Sequence, residues 1–160
     1  MPRDYFRPAT IVMGSRLRYN KCMSKLDYFL LCESVIRDAD GKLTIVNIFD
    51  ILNVADFPGV PSKFALVFGA FLDDSDLKGK EVTFDMQVLD KKGEVIVSSK
   101  GSGSNTDNLK KHRHIVASID LAGQVPLEGA GIYSMRLYIN DQLISEKNFE
   151  VVKKPQEGKK

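Results

Sequence analysis

The chain has 160 residues, 43% hydrophobic and 28% charged, with a formal net charge of +2 and two cysteines. That length makes one domain of ordinary size with tails, and the composition excludes wholesale disorder, a collagen-like repeat and a bundle of membrane-spanning helices, since no apolar run approaches roughly 20 residues. Two cysteines are too few for a disulfide-dense scaffold or a four-cysteine zinc module.

Charge is distributed unevenly. Residues 1–26 carry Arg3, Arg7, Arg16, Arg18, Lys21 and Lys25 against Asp4, and residues 153–160 carry four lysines against Glu157, so the body between them is net acidic. A nucleic-acid-binding domain would gather its positive charge on a folded face, so nucleic acid is not an expected partner. The first segment is interrupted by Pro2, Pro8 and Gly14, and its apolar cluster, Ile11-Val12-Met13, is far shorter than a signal-peptide core. A cytoplasmic location is expected, with Met13 or Met23 as alternative starts to Met1. The expected organisation is a flexible basic segment over 1–26, a folded domain over 27–152 and a disordered basic tail over 153–160.

From Asp27 the chain is punctuated every eight to twelve residues, the spacing of an all-β sandwich or barrel. The first predicted strand is Tyr28 to Arg37, followed by a turn at Asp38-Ala39-Asp40-Gly41-Lys42. The second runs from Leu43 to Val54, ended by Phe57-Pro58-Gly59, and the third from Lys63 to Leu72, stopped by Asp73-Asp74-Ser75-Asp76. Glu81 to Asp90 alternates apolar with polar, Asp90-Lys91-Lys92-Gly93 is a hairpin connection, and Glu94 to Lys100 returns. One helical turn is expected around Asp107 to Lys110, then a strand from Arg113 to Leu121 with Ile115, Ala117, Ile119 and Leu121 on one face. The last strands, Ile132 to Ile139 and Leu143 to Val152, flank Asn140-Asp141, a pair suited to a two-residue turn. With that turn, Leu137 shares a side with Ile144 while Phe149 and Val151 fall out of phase, which predicts a bulge between Ile144 and Phe149.

About eight strands with unequal loops favour an immunoglobulin-like antiparallel β-sandwich over an up-and-down barrel. Tyr133, entering a strand after the loop Pro126 to Gly131, fits either a tyrosine that ties a corner to nearby backbone or an ordinary core tyrosine. Three stretches, Phe29-Leu30-Leu31-Cys32-Glu33-Ser34-Val35, Gly41 to Asp50, and Gly131-Ile132-Tyr133 through Phe149-Glu150-Val151, together resemble a family of small bacterial proteins classed as a domain of unknown function. The resemblance covers roughly 27–152. It implies an immunoglobulin-like sandwich and transfers no catalytic residue.

Several clusters carry groups capable of chemistry. His112 and His114, two apart on a predicted strand, would point to one side and could share a divalent metal, but no third histidine exists. Asp73, Asp74 and Asp76 could gather oxygens for calcium, though a solvated acidic turn accounts for them more simply. Cys32, in the most apolar run, reads as a small core residue. No G-x-S-x-G, P-loop or dinucleotide fingerprint is present, and neither an enzyme nor a cofactor is expected.

The expected function is therefore a non-catalytic interaction module that binds itself or a protein partner through a sheet face. The alternative is metal- or calcium-assisted binding of a ligand, such as a carbohydrate, at loops on one end. The third strand is apolar on both faces, with Phe64, Leu66, Phe68 and Leu72 on one and Ala65, Val67 and Phe71 on the other; the second strand is similar. Such strands need a cover on both sides, from this chain, a second copy or another protein. Val67, Phe71, Val46 and Ile48 are the candidate interface residues and a homodimer the simplest assembly.

Overall fold

A computed structural model describes residues 25–79, 81–104 and 107–155. The expectations for the segment before Lys25 and for the end of the basic tail lie outside the described residues.

Among these, the chain forms β1 (Lys25–Arg37), β2 (Leu43–Ile48), β3 (Ile51–Val54), β4 (Ala65–Phe71), β5 (Glu81–Leu89), β6 (Val95–Ser104), α1 (Asp107–His112), β7 (His114–Asp120), β8 (Gly131–Ile139) and β9 (Gln142–Lys153). A four-stranded sheet has the order β2-β1-β4-β7 and a five-stranded sheet the order β3-β9-β8-β5-β6. With β4 and β7 in one sheet, and β5, β8 and β9 flanked by β6 in the other, the arrangement follows the immunoglobulin pattern of strands B and E against C, F and G. The protein is an all-β, immunoglobulin-like sandwich.

The run from Leu43 to Val54 is two strands rather than one. Asn47 takes a left-handed conformation, with φ of 49°. Phe49 then turns inward, its ring 6.5 Å from that of Phe64. The chain thus leaves the first sheet at Ile48 and enters the second at Ile51, where β3 pairs parallel to β9. That raises the strand count to nine among the described residues and makes one pair parallel.

Alternation supplies the core. Phe29, Leu31, Leu66, Phe68, Val82, Met86, Val88, Met135, Leu137 and Val151 are all buried in one cluster between the sheets. Three aromatics connect across the layers: Phe64 lies 5.9 Å from Phe149, and Phe149 lies 5.8 Å from Tyr133, centroid to centroid. Ile115, Ala117 and Ile119 pack on this core, as their alternation predicts.

Phe149 reaches that stack because of a bulge. Asn140 and Asp141 both have positive φ, 47° and 62°, the geometry of a type I′ turn. The ladder then pairs Tyr138 with Leu143 but Leu137 with Ser145, leaving Ile144 as the extra residue. The bulge lies at Ile144 itself, slightly earlier than expected, because Ile144 also packs toward the core.

Tyr133 is 1% exposed, and its hydroxyl donates to the Gly129 carbonyl at 2.9 Å. It is the corner tyrosine of the immunoglobulin pattern, four residues beyond its acceptor. Tyr133→Phe should leave the fold intact yet strand a half-buried carbonyl, costing about 1 kcal/mol. Thermal unfolding should show this as a fall of roughly 2–8 °C, and an unchanged midpoint would mean that the bond contributes nothing.

Candidate interaction surface

The cross-strand register assigns every residue of the four-stranded sheet to a face. Leu30 pairs with Val67 and Val67 with Ser118; Cys32 pairs with Ala65 and Ala65 with Asp120. Tyr28 opposes Gly69, which opposes Val116, and Phe71 opposes His114. These rows lie on the face turned away from the core, since Phe29, Leu31, Leu66 and Phe68 occupy the other. Gly69 is required here: a Cβ on it would sit 2.5 Å from the Tyr28 ring, which lies over the glycine.

This outer face is covered from within the chain. Cys32, Ala65 and Val67 are 0%, 1% and 0% exposed, and Val35, Leu43 and Ile45 pack against them together with Tyr28 and Leu30. Leu43 pairs with Arg37, five residues along β1 from Cys32, which in a flat sheet is about 16 Å away. The far half of the β1–β2 hairpin must therefore bend back over the sheet as an arm. Two further observations agree. Arg37 lines a groove together with Val116 and Ser118 of β7, and the Tyr28 phenol pKa, raised by burial first and then by Asp27, is opposed by the Arg37 charge.

The bend sits at Glu33 and Asn47. The left-handed Asn47 donates its side-chain amide to Glu33 Oε2 at 3.0 Å, and Lys63 donates to the same oxygen at 3.2 Å. Asparagine tolerates this conformation better than the β-branched residues around it. The Asn47 bond first, then Lys63, holds the Glu33 carboxyl below its usual range.

The cover removes Val67 from the candidate interface: it is core-like, and a charge there would report on folding rather than on binding. Val46 is half-buried, whereas Phe71 is 45% exposed and Ile48 57% exposed. Phe71 stacks on His114, with centroids 4.5 Å apart.

The two sides of the sandwich differ. On the β2/β3 side the chain crosses between sheets, and Lys147 donates to the Phe29 carbonyl at 2.8 Å. On the other side, edges β7 and β6 flank a groove of about 660 Å³. Val82, Phe84, Leu109, Ile115 and Ala117 give it an apolar floor; Arg37, His112, His114 and the hydroxyls of Ser102, Ser104 and Ser118 line its rim.

Among the described residues, half of the β7 backbone faces away from β4. Leu121 N–H donates to Phe64 and Leu72 N–H to Arg113, so odd-numbered residues of β7 direct their polar groups at β4. His114, Val116, Ser118 and Asp120 therefore direct theirs away from β4, the first three beside the groove and Asp120 with its carbonyl bonded to Gln124.

The metal candidates fall out differently than expected. His112 ends helix α1 while His114 begins β7, separated by Arg113 at φ of 55°. They are not neighbours on one strand, because Arg113 caps the helix, its N–H bonded to Leu109. His114 Nε2 instead faces Asp27 at 3.8 Å. The acidic loop uses its carboxylates to fold. Asp73 Oδ1 accepts from the Ser75 N–H and hydroxyl, both at 2.6 Å, Asp76 Oδ2 accepts from the Asp73 N–H at 2.9 Å, and Asp74 pairs with Arg113 at 2.7 Å. Among the described residues no group of three or more His, Cys, Asp or Glu could hold a metal ion. The Cys32 thiol is pushed up by burial, and its sulfur points at the Ala65 carbonyl. No helix among the described residues is long and apolar enough to cross a membrane.

Residues 27–152 match the Family of unknown function DUF6941, and the chain belongs to that family. No curated protein matches the sequence. Similar solved structures include the immunoglobulin-like protein PA1606 of Pseudomonas aeruginosa, at 14% identity and TM-score 0.40, covering 83% of this chain and 99% of that one. Dimeric latent PorU of Porphyromonas gingivalis is similar at 18% identity and TM-score 0.39, over 56% of this chain and 8% of its own. The alkylpurine DNA glycosylase AlkC of Pseudomonas fluorescens is similar at 10% identity and TM-score 0.41, over 81% of this chain and 30% of its own. The chain thus spans only a small part of PorU and under a third of AlkC.

Glu33, with its value depressed in the fold, stabilises the bend above the unfolded carboxylate pKa of about 4.3 and loses that contribution as pH falls through the lower folded value. Amide protection in Leu43 to Val46 should therefore drop below the ordinary carboxylate range while protection in β8 persists. Glu33→Gln should flatten that pH dependence, and an arm equally protected in wild type at both pH values would show that the carboxylate does not hold the bend.

Proposed function

We propose that this protein is a non-catalytic polypeptide-binding module that accepts an extended segment as an added strand along β7. The observation that carries the reading is the outward row of His114, Val116 and Ser118, whose backbone groups bond to none of the described residues and open into a groove of peptide size. Added strands gain affinity from main-chain bonds and specificity from pockets for alternate side chains, and the groove supplies an apolar floor beside a basic, hydroxyl-rich rim.

Comparison of the four sheet edges favours β7. Natural edge strands are protected by shortness, lysine, proline, glycine-rich stretches or kinks. Edge β3 has four residues, β2 is kinked at Asn47, and β6 carries Lys100, Gly101 and Gly103. Strand β7 has seven residues, contains no lysine, glycine or proline, and pairs with β4 without a register shift. Its exposed end neighbour Phe71 offers an apolar anchor next to the edge. The sheet contributes its edge, since the arm covers the centre of its outer face at Cys32, Ala65 and Val67.

Selection of heptapeptides from a displayed random library on the immobilised protein should return binders whose affinity falls about tenfold or more with Val116→Pro. That substitution removes an N–H directed outward and leaves the ladder to β4 intact, so the fold should survive. Failure to select any binder, or binders indifferent to Val116→Pro, would refute strand addition at β7.

A further inference from the structure

Resting on the edge-strand reading above, we propose that the strand added to β7 is β7 of a second copy, paired antiparallel about a twofold axis at Ala117. The geometry of the free edge restricts the registers. Odd residues are bonded to β4, so narrow pairs between copies can involve only His114, Val116, Ser118 and Asp120. A shift by one residue is therefore forbidden. Centring on Ala117 is the one register in which all seven residues of β7 overlap. It sets Val116 against Ser118 of the partner subunit, twice by symmetry, with both backbone bonds exchanged at each.

Charge selects the same register. It brings His114 against Asp120 of the partner subunit at both ends of the pair, so opposite charges meet whenever the imidazole, which Asp27 already faces at 3.8 Å, is protonated. A slip of two residues in either direction sets His114 against Ser118 of the partner subunit or Asp120 against Val116 of the partner subunit, and shortens the overlap. On the inner face the centred register places Ile115 against Ile119 of the partner subunit and Ala117 against its own counterpart. The inward apolar row of Ile115, Ala117 and Ile119 then continues from one sandwich into the next.

Existing contacts rank the bonds. Asp120 already accepts from the Ala122 N–H with Oδ1 at 2.9 Å and from Gln124 with its carbonyl at 3.2 Å. His114 already stacks on Phe71 and faces Asp27. The central Val116–Ser118 exchanges are unencumbered and carry the pairing, while the outer pairs set the register. Arg37 and His112 both line the groove, which suits the arriving Asp120 of the partner subunit. Closed twofold pairing also uses up both free edges, where a head-to-tail contact would leave one exposed.

The full chain should show a concentration-dependent monomer–dimer equilibrium by sedimentation velocity. Val116→Pro and His114→Asp should each raise the dissociation constant about tenfold or more, with circular dichroism confirming that both variants fold. Ala117 pairs with itself at a position without hydrogen bonds, where the Cα atoms lie about 4.5 Å apart, within the disulfide range. Ala117→Cys should therefore form an intermolecular disulfide on oxidation, and the added Val116→Pro should abolish it. In wild type, exchange protection of the Val116 and Ser118 amides should rise with concentration, a readout that needs no variant to fold. A wild-type chain that stays monomeric at several hundred micromolar while selected heptapeptides still bind at β7 would overturn the second copy and leave the edge reading standing. A dimer indifferent to Val116→Pro, without the Ala117→Cys cross-link, would overturn this pairing.

Discussion

A strand that is apolar on both faces has to be covered twice, and the rest of this molecule follows from how β4 meets that demand. Leu66 and Phe68 are covered by the five-stranded sheet in the ordinary manner of a sandwich. Ala65 and Val67 point the other way, where a two-layer protein has only solvent to offer. The chain solves this by extending β1 past the end of β4 and folding the resulting hairpin back, so that Val35, Leu43 and Ile45 form a partial third layer. Fully burying a side chain of that size is worth about 1.5–3 kcal/mol, and these three, half-buried, gain a part of that on bending back.

The bend itself is polar. Glu33 gathers Asn47 and Lys63 onto one oxygen, and the left-handed Asn47 supplies the change of direction. These contacts are exposed, and bonds of that kind contribute little to stability. Their effect is on direction: they decide where the hairpin turns, while the apolar cluster beneath the arm decides that it stays down. Arg37 is carried by the same bend to the rim of the groove on the far side of the sheet. Residues distant along an extended strand become part of one surface.

An immunoglobulin-like sandwich serves many functions, so the fold carries no activity by itself. What distinguishes this one is asymmetry between its two sides. One is stitched by the crossover from β2 to β3 and by Lys147 on the Phe29 carbonyl; the other leaves β7 and β6 parted around a groove. Burial of Cys32, Ala65 and Val67 takes the centre of the outer face out of reach of a partner. The proposed recognition therefore rests on an edge, where backbone hydrogen bonding rather than apolar area would supply the binding.

The residues of the chain were enough to determine the class of fold, because strand alternation and turn chemistry are local. Val82 to Val88 alternate as a half-buried strand must, Asn140-Asp141 can adopt the two left-handed conformations a type I′ turn needs, and the phase conflict between Ile144 and Phe149 announced a bulge. The need for a second cover over Ala65 and Val67 was equally legible, since both faces of that strand are apolar. Which element provides the cover was not, because it depends on Asn47 adopting a conformation that most residues avoid and on Glu33 and Lys63 meeting across the bend. The division of Leu43 to Val54 between two sheets was hidden for the same reason: β-propensity is continuous through the run, and only the inward turn of Phe49 breaks it. His112 and His114 looked like strand neighbours until Arg113 capped a helix between them. Spacing along the chain determines which way a side chain points within an element; only the tertiary structure decides where one element ends, which edge lies free and which face is already taken, because those are settled by contacts between residues far apart in sequence.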